Sequence, residues 1–209
     1  MSNKTAPDDI INSPRDLVAY FREAGKPRAE WRVGIEQEKI PVREDGLPAP
    51  YEGPHGIERL LGLLEGRGFT AQKEDGHTVA LRRGEERITV EPGGQLELSG
   101  PALVSAAAGR EVLLAHVREV QALARPLGIR FIAGGFRPFG GLDDVPWLPK
   151  RRYVVMREYL PKRGRLGHEM MKRTATVQAN LDYADEEEAV EKMRTGLGIT
   201  SVEIGRAHV

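Results

Sequence analysis

An α+β domain built on a mainly antiparallel sheet is the fold this 209-residue sequence predicts. Three observations carry the prediction. Between residues 69 and 99, runs of alternating apolar and polar residues follow one another, broken at Asp75-Gly76, at Arg83-Gly84-Glu85 and at Pro92-Gly93-Gly94. Asp-Gly between such runs is a strong hairpin signal, because the tight turn that suits twisted strands needs positive φ at both positions. The stretches 56–67 and 104–127 repeat their apolar residues at helical spacing instead. Residues 175–183 return to alternation, with Thr176, Gln178, Asn180 and Asp182 on one face and Val177, Ala179 and Leu181 on the other.

Taken in order, residues 1–12 read as a disordered tail. Ser13-Pro-Arg-Asp16 opens a helix, with Ser13 as N-cap and Pro14 at the first helical position. Leu17, Tyr20, Phe21 and Ala24 form its packing side, and Gly25 stops it. Residues 31–42 form a first strand, ended by Pro41. A loop rich in Gly and Pro leads to the helix at 56–67, whose buried side is Leu60, Leu61, Leu63 and Leu64. After the meander, the helix at 104–127 carries a stripe of Val112, Leu113, Val117, Val120, Leu123 and Ala124. A short strand at 129–133, an irregular stretch at 134–149 and a helix at 151–160 follow. Asp185 caps a last helix whose first turn holds three glutamates, favourable for the helix dipole.

Composition narrows the function classes. With 31 Lys+Arg against 31 Asp+Glu the net charge is zero, which gives no electrostatic reason to expect nucleic acid or an anionic membrane as partner. No cysteine is present, which excludes disulfides, thiolate zinc sites and a cysteine nucleophile; a cytoplasmic location is expected. No secretory h-region opens the chain, and no run approaches the ~18 apolar residues of a membrane span.

The chemistry gathers at two stretches. In Glu91-Pro-Gly-Gly-Gln-Leu-Glu-Leu-Ser-Gly100 the strand period places Gln95, Glu97 and Ser99 on one face and Leu96 and Leu98 on the core face. Glu91 stands across a glycine turn from Glu97. In Trp31-Arg-Val-Gly-Ile-Glu-Gln-Glu-Lys-Ile40, Glu36 and Glu38 share a face at ~7 Å spacing. Glu36 and Glu38 alone read as a solvated strand face. Together the four form a carboxylate cluster, and a hard divalent cation with oxygen ligands relieves its repulsion.

These stretches resemble the glutamate–cysteine ligases of the plant and proteobacterial type. So do Gly135-Phe-Arg-Pro138, Pro149-Lys-Arg-Arg-Tyr153, Met156-Arg-Glu-Tyr-Leu-Pro161 and Thr176-Val-Gln-Ala-Asn-Leu-Asp182, which come in the family's order. The resemblance implies a glutamine-synthetase-like fold, in which a curved, mainly antiparallel sheet backed by helices forms a funnel. It implies ATP-dependent joining of the glutamate γ-carboxylate to the cysteine amine, with Mg²⁺ as cofactor and glutamate, cysteine and ATP as substrates. Glu36, Glu38, Glu91 and Glu97 are then the metal-binding set. Gln178, with Asn180 beside it, falls on the metal or nucleotide side. Lys150 and Arg157 are candidates for phosphate or carboxylate contacts, with Arg151, where the family usually has glycine, the weakest. Another carboxylate–amine ligase of the same superfold, or a non-catalytic Mg-nucleotide-binding module, stays open, and no oligomeric state is indicated.

Members of that family are considerably longer than 209 residues. Residues 203–209, Glu-Ile-Gly-Arg-Ala-His-Val, match the translation of a widely used sequencing adapter. The expectation is therefore that 13–202 is the N-terminal part of a catalytic domain, inactive alone, and that 203–209 is read-through.

Overall fold

The computed structural model describes residues 10–206. The order is α1 (Pro14–Glu23), β1 (Val33–Val42), α2 (Ile57–Glu65), β2 (Thr70–Glu74), β3 (His77–Arg83), β4 (Glu86–Val90) and β5 (Leu96–Ser99). It continues with α3 (Ala106–Ala124), β6 (Arg130–Ile132), α4 (Arg151–Tyr159), α5 (Gly167–Arg173), β7 (Val177–Leu181) and α6 (Glu186–Arg206). The strands form one sheet in the order β2-β3-β4-β5-β1-β6, with β7 added to β1. Every pairing is antiparallel. The α+β expectation is met: an open antiparallel sheet is backed by helices. Among the described residues no helix is long and apolar enough to cross a membrane.

The core sorts the two faces of the sheet. Ile57, Leu60, Leu61 and Leu64 of α2 and Val120 and Ala124 of α3 pack against Leu81, Ile88, Val90, Leu96 and Leu98. Each such burial is worth about 1.5–3 kcal/mol relative to exposure. Because strand side chains alternate, fixing those residues under the helices turns Arg82, Arg87, Thr89, Glu97 and Ser99 to the opposite face. Helix α3 comes in close enough that a Cβ on Gly109 would fall on Ile35 Cδ1.

The turn between β4 and β5 is held from outside the sheet. Gly94 has φ 86°, and its N–H donates to Glu91 O at 2.8 Å. Gln95 was expected beside Glu97 on the open face, but its side chain is only 2% exposed. Its Nε2 donates to Met171 O (3.1 Å) and Thr174 O (2.7 Å), and its Oε1 accepts from Gly93 N–H (2.9 Å). The end of α5 thus closes the turn, so tightly that a Cβ on Gly93 would fall on Lys172 O.

Several expectations need correction. Pro41 does not end β1 but lies inside it, paired with Phe131, and its carbonyl accepts from Arg137 Nη2 at 3.1 Å. The strand begins at Val33 rather than at residue 31. Helix α5 was not anticipated; it is seven residues long and has no side-chain cap. Of the expected tail, residues 1–9 lie outside those described, whereas Asn12 N–H already donates to Asp16 of α1. Of 203–209, the last three lie outside, and the others continue α6.

The packing role expected for α1 is not met: its capping box forms, but no residue of it is buried. The apolar face of β7 is also uncovered, with Val177 71% and Leu181 58% exposed, and Met193 and Leu197 of α6 are exposed too. Contiguous apolar surface of this kind marks a surface on which something packs.

Gly93→Ala is expected to cost about 3 kcal/mol or more, since its clash is with backbone rather than with a mobile side-chain tip. Gly62→Ala in α2, where a Cβ meets nothing within 4 Å, is expected to gain about 0.5–1 kcal/mol. Urea unfolding of the two variants checks both signs.

Candidate functional site

Strand register builds the site. On β1, Glu38 lies directly opposite Glu97 of β5, and Glu36 opposite Ser99. On the other edge of β1, Glu36 faces Gln178 of β7. Thr89 of β4 sits opposite Glu97, and Arg87 opposite Ser99. A row Arg82–Arg87–Ser99–Glu36–Gln178 therefore crosses five strands, with Ala80–Thr89–Glu97–Glu38 beside it. Glu91, just beyond β4, joins through the Thr89 hydroxyl, which lies 3.4 Å from Glu91 Oε1 and 3.2 Å from Glu97 Oε1.

The side chains lean on one another. Gln178 Nε2 donates to Glu36 Oε2 at 2.9 Å, and Asn180 Nδ2 to Glu36 Oε1 at 3.3 Å. Thr176 N–H donates to Glu38 Oε2 at 3.0 Å. The Ser99 hydroxyl donates to Glu97 Oε1 at 3.1 Å. Lys150, nearly buried at the start of α4, donates from Nζ to Val90 O at 2.6 Å. Tyr153 OH lies 3.1 Å from Glu91 Oε2.

The structure thus brings together Glu36, Glu38, Glu91, Glu97, Gln178, Asn180 and Lys150. It does not bring in Arg157, which stands over the Trp147 ring at 5.3 Å and lines neither cavity described below. Arg151 points away, paired with Asp75 at 2.6 Å. Its neighbour Arg152 takes the place, 3.4 Å from Glu91. The sequence signal for Arg152 is the same basic run, read one residue further on, where the helical turn brings the side chain back over the sheet.

The electrostatics are those of clustered, partly buried carboxylates. Burial pushes the Glu38 carboxyl up to about 7; Glu97 and Glu91 add repulsion, and the Thr176 N–H opposes them. Glu97 is raised as well, first by burial and then by Glu91, against the hydroxyls of Ser99 and Thr89. Burial lowers the Lys150 ammonium to about 8, with Glu91 pulling the other way. Carboxylates, an amide oxygen and hydroxyls form an all-oxygen donor set, the chemistry a hard divalent cation takes. Among the described residues no three His, Cys, Asp or Glu side chains stand grouped so as to hold a metal ion as they are placed.

Two cavities adjoin on this face. The larger, 710 Å³, is bordered by Arg32, Glu36, Arg82, Arg87, Ser99 and Asn180. The smaller, 310 Å³, is bordered by Arg87, Thr89, Glu91, Glu97, Lys150 and Arg152. Both volumes suit small-molecule ligands.

Comparison with known proteins gives the family of this chain. The family model for glutamate-cysteine ligase family 2 matches residues 32–201. The chain is 40% identical over 188 residues to the chloroplastic glutamate–cysteine ligase A of Oryza sativa subsp. japonica, covering 90% of this chain and 38% of that protein. It is 40% identical over 187 residues to the chloroplastic glutamate–cysteine ligase of Nicotiana tabacum, covering 90% and 36%. For that of Arabidopsis thaliana the identity is 37% over 187 residues, covering 90% and 36%. The chain therefore spans less than two fifths of the length of these relatives.

The raised Glu38 carboxyl gives a pH prediction. Its folded value of about 7 lies above the ordinary 4.5, so its stabilising contribution is complete below 4.5 and is lost as pH rises through 7. Without divalent cation, stability should fall between pH 5 and pH 8. Glu38→Gln should remove part of that fall and be more stable than the parent at pH 8 by about 1 kcal/mol, a figure reduced for partial solvent exposure. Urea unfolding in EDTA at the two pH values measures it.

Proposed function

The chain belongs to glutamate-cysteine ligase family 2, and on that premise we propose that the protein it comes from joins the glutamate γ-carboxylate to the cysteine amine at the expense of ATP, the first step of glutathione synthesis. The supporting observation is the opposed pair Glu38–Glu97, flanked by Glu36 and Glu91, on a sheet face whose other half is cationic. A γ-carboxylate oxygen bonds to the terminal phosphorus of ATP as the β–γ bridging bond breaks, and ADP leaves with the electron pair. The cysteine amine then attacks the acyl carbon; inorganic phosphate departs, and the nitrogen gives up a proton.

Both steps bring anions together, so positioning and charge neutralisation are the main things a protein can supply. Mg²⁺ held by Glu36, Glu38, Glu91 and Glu97 would neutralise phosphate charge. The chain's own residues do the rest. Gln178 and Asn180 fix the rotamer of Glu36. The Thr89 hydroxyl sets the separation of Glu91 from Glu97. Lys150 and Arg152 offer cations to a phosphate or carboxylate in the smaller cavity. Arg157, outside both cavities, is given no part in the transfer.

The sheet is read as one wall of a glutamine-synthetase-like funnel. The rest of the protein then covers β7, α1 and α6, where apolar side chains stand exposed. A cytoplasmic location is proposed on the cysteine-free composition; the relatives named above are chloroplastic.

The full-length protein, supplied with glutamate, cysteine and Mg-ATP, is expected to release ADP and yield γ-glutamylcysteine by mass analysis. Glu97→Gln is expected to lower kcat/KM by about 10²–10³-fold. The 209-residue chain alone is expected to yield none. A γ-glutamyl product formed only with another amine would overturn the substrate assignment. Mg-ATP binding without glutamate- and cysteine-dependent ADP release would establish a binding module instead.

A further inference from the structure

Arg82 on β3 and Arg87 on β4 are directly opposite each other, on the face turned away from the core. Like charges at opposed positions of an antiparallel pair destabilise it. The surroundings do little to relieve them. Arg82 donates from Nε to Gly84 O at 3.0 Å, and among the described residues neither guanidinium has a carboxylate partner. Nearby cations are paired: Arg83 with Glu86 and Glu119, and Lys26 with Asp182. Both arginines border the larger cavity, with Glu85 of the hairpin tip also at its rim. Arg87 alone of the two also borders the smaller one. The row they begin runs on through Ser99 to Glu36, so charge along it changes from cationic to anionic within three strands.

We propose that Arg82 and Arg87 hold the polyphosphate of the nucleotide in the larger cavity, with Arg87 on its terminal phosphate at the passage into the smaller one. This rests on the ligase reading for the identity of the nucleotide. A planar guanidinium presents parallel N–H donors that match phosphate oxygens, and a polyphosphate gives two adjacent guanidinium groups a shared counterion. The cation on the carboxylate half and the phosphates on the arginine half would neutralise each other's sites. Volume assigns the sides: the 710 Å³ space takes a nucleotide, leaving the 310 Å³ space for an amino acid.

The test uses the full-length protein, inorganic triphosphate with Mg²⁺ as probe, and thermal unfolding and calorimetry at fixed ionic strength. Arg118→Gln, on the exposed side of α3, serves as a control of equal charge change. Triphosphate is expected to raise the melting temperature of the parent protein and of Arg118→Gln. Arg87→Gln should weaken its binding about tenfold and Arg82→Gln by less, since Arg87 alone reaches the terminal phosphate. Without ligand, Arg87→Gln should melt no lower than the parent, because it removes the opposed charge. No triphosphate binding by the parent protein, or equal weakening by Arg118→Gln and Arg87→Gln, would overturn the proposal. So would glutamate competing with triphosphate for the Arg87-dependent site. Arg87-dependent triphosphate binding combined with no γ-glutamylcysteine from the full-length protein would overturn the ligase reading and leave this one standing.

Discussion

The register of β1 is the constraint on which the site depends. One strand carries Glu36 and Glu38 on its open face and Ile35, Gln37 and Lys39 on its helix face. A slip of one residue against β5 would bury the carboxylates under α3 and expose Ile35. What prevents the slip is apolar: Leu96 and Leu98 lie at the floor of the core, and Gly109 lets α3 seat against Ile35. The hydrophobic effect therefore enforces a like-charge pair, Glu38 against Glu97, that electrostatics alone would separate. Packing energy on one side of the sheet sustains electrostatic strain on the other, the arrangement expected where stored repulsion is relieved by a ligand.

Much of this was readable from residues. A period of two is rigid, so placing Leu96 and Leu98 inward fixed the direction of Glu97 and Ser99, and the same rule fixed Glu36 with Glu38. Glu91 was readable because the glycine turn keeps it close to the start of β5. Asp75-Gly76 gave the hairpin outright. These are local signals with one geometric solution each.

The features that escaped depend on distant partners. Gln95 obeys the strand period in sequence, but carbonyls of Met171 and Thr174 capture its amide and withdraw it from the open face. Pro41 reads as a terminator, yet β1 continues through it because its carbonyl, not the missing N–H, is what its neighbours use. Helix α5 lacks a capping side chain and is too short for periodicity to mark it. Arg152 and Arg157 are equivalent as residue types, and only the placement of α4 over Glu91 separates the one that reaches the cluster from the one that stacks on Trp147. Helix α1 has the right spacing for a packing face, but spacing cannot supply the surface it packs on.

The Gln95 amide sets an order of assembly. Two of its three hydrogen bonds join a turn near the middle of the chain to a helix end more than seventy residues later, and the third ties the turn to itself. During synthesis the meander can pair and collapse onto α2 early, because its contacts are local. The last geometry of Glu91, and the strand that supports Glu36, wait for α5 and β7 to leave the ribosome. A nascent chain therefore carries a folded but incomplete acidic surface for an interval, and that surface takes its final shape only when this late clasp snaps shut.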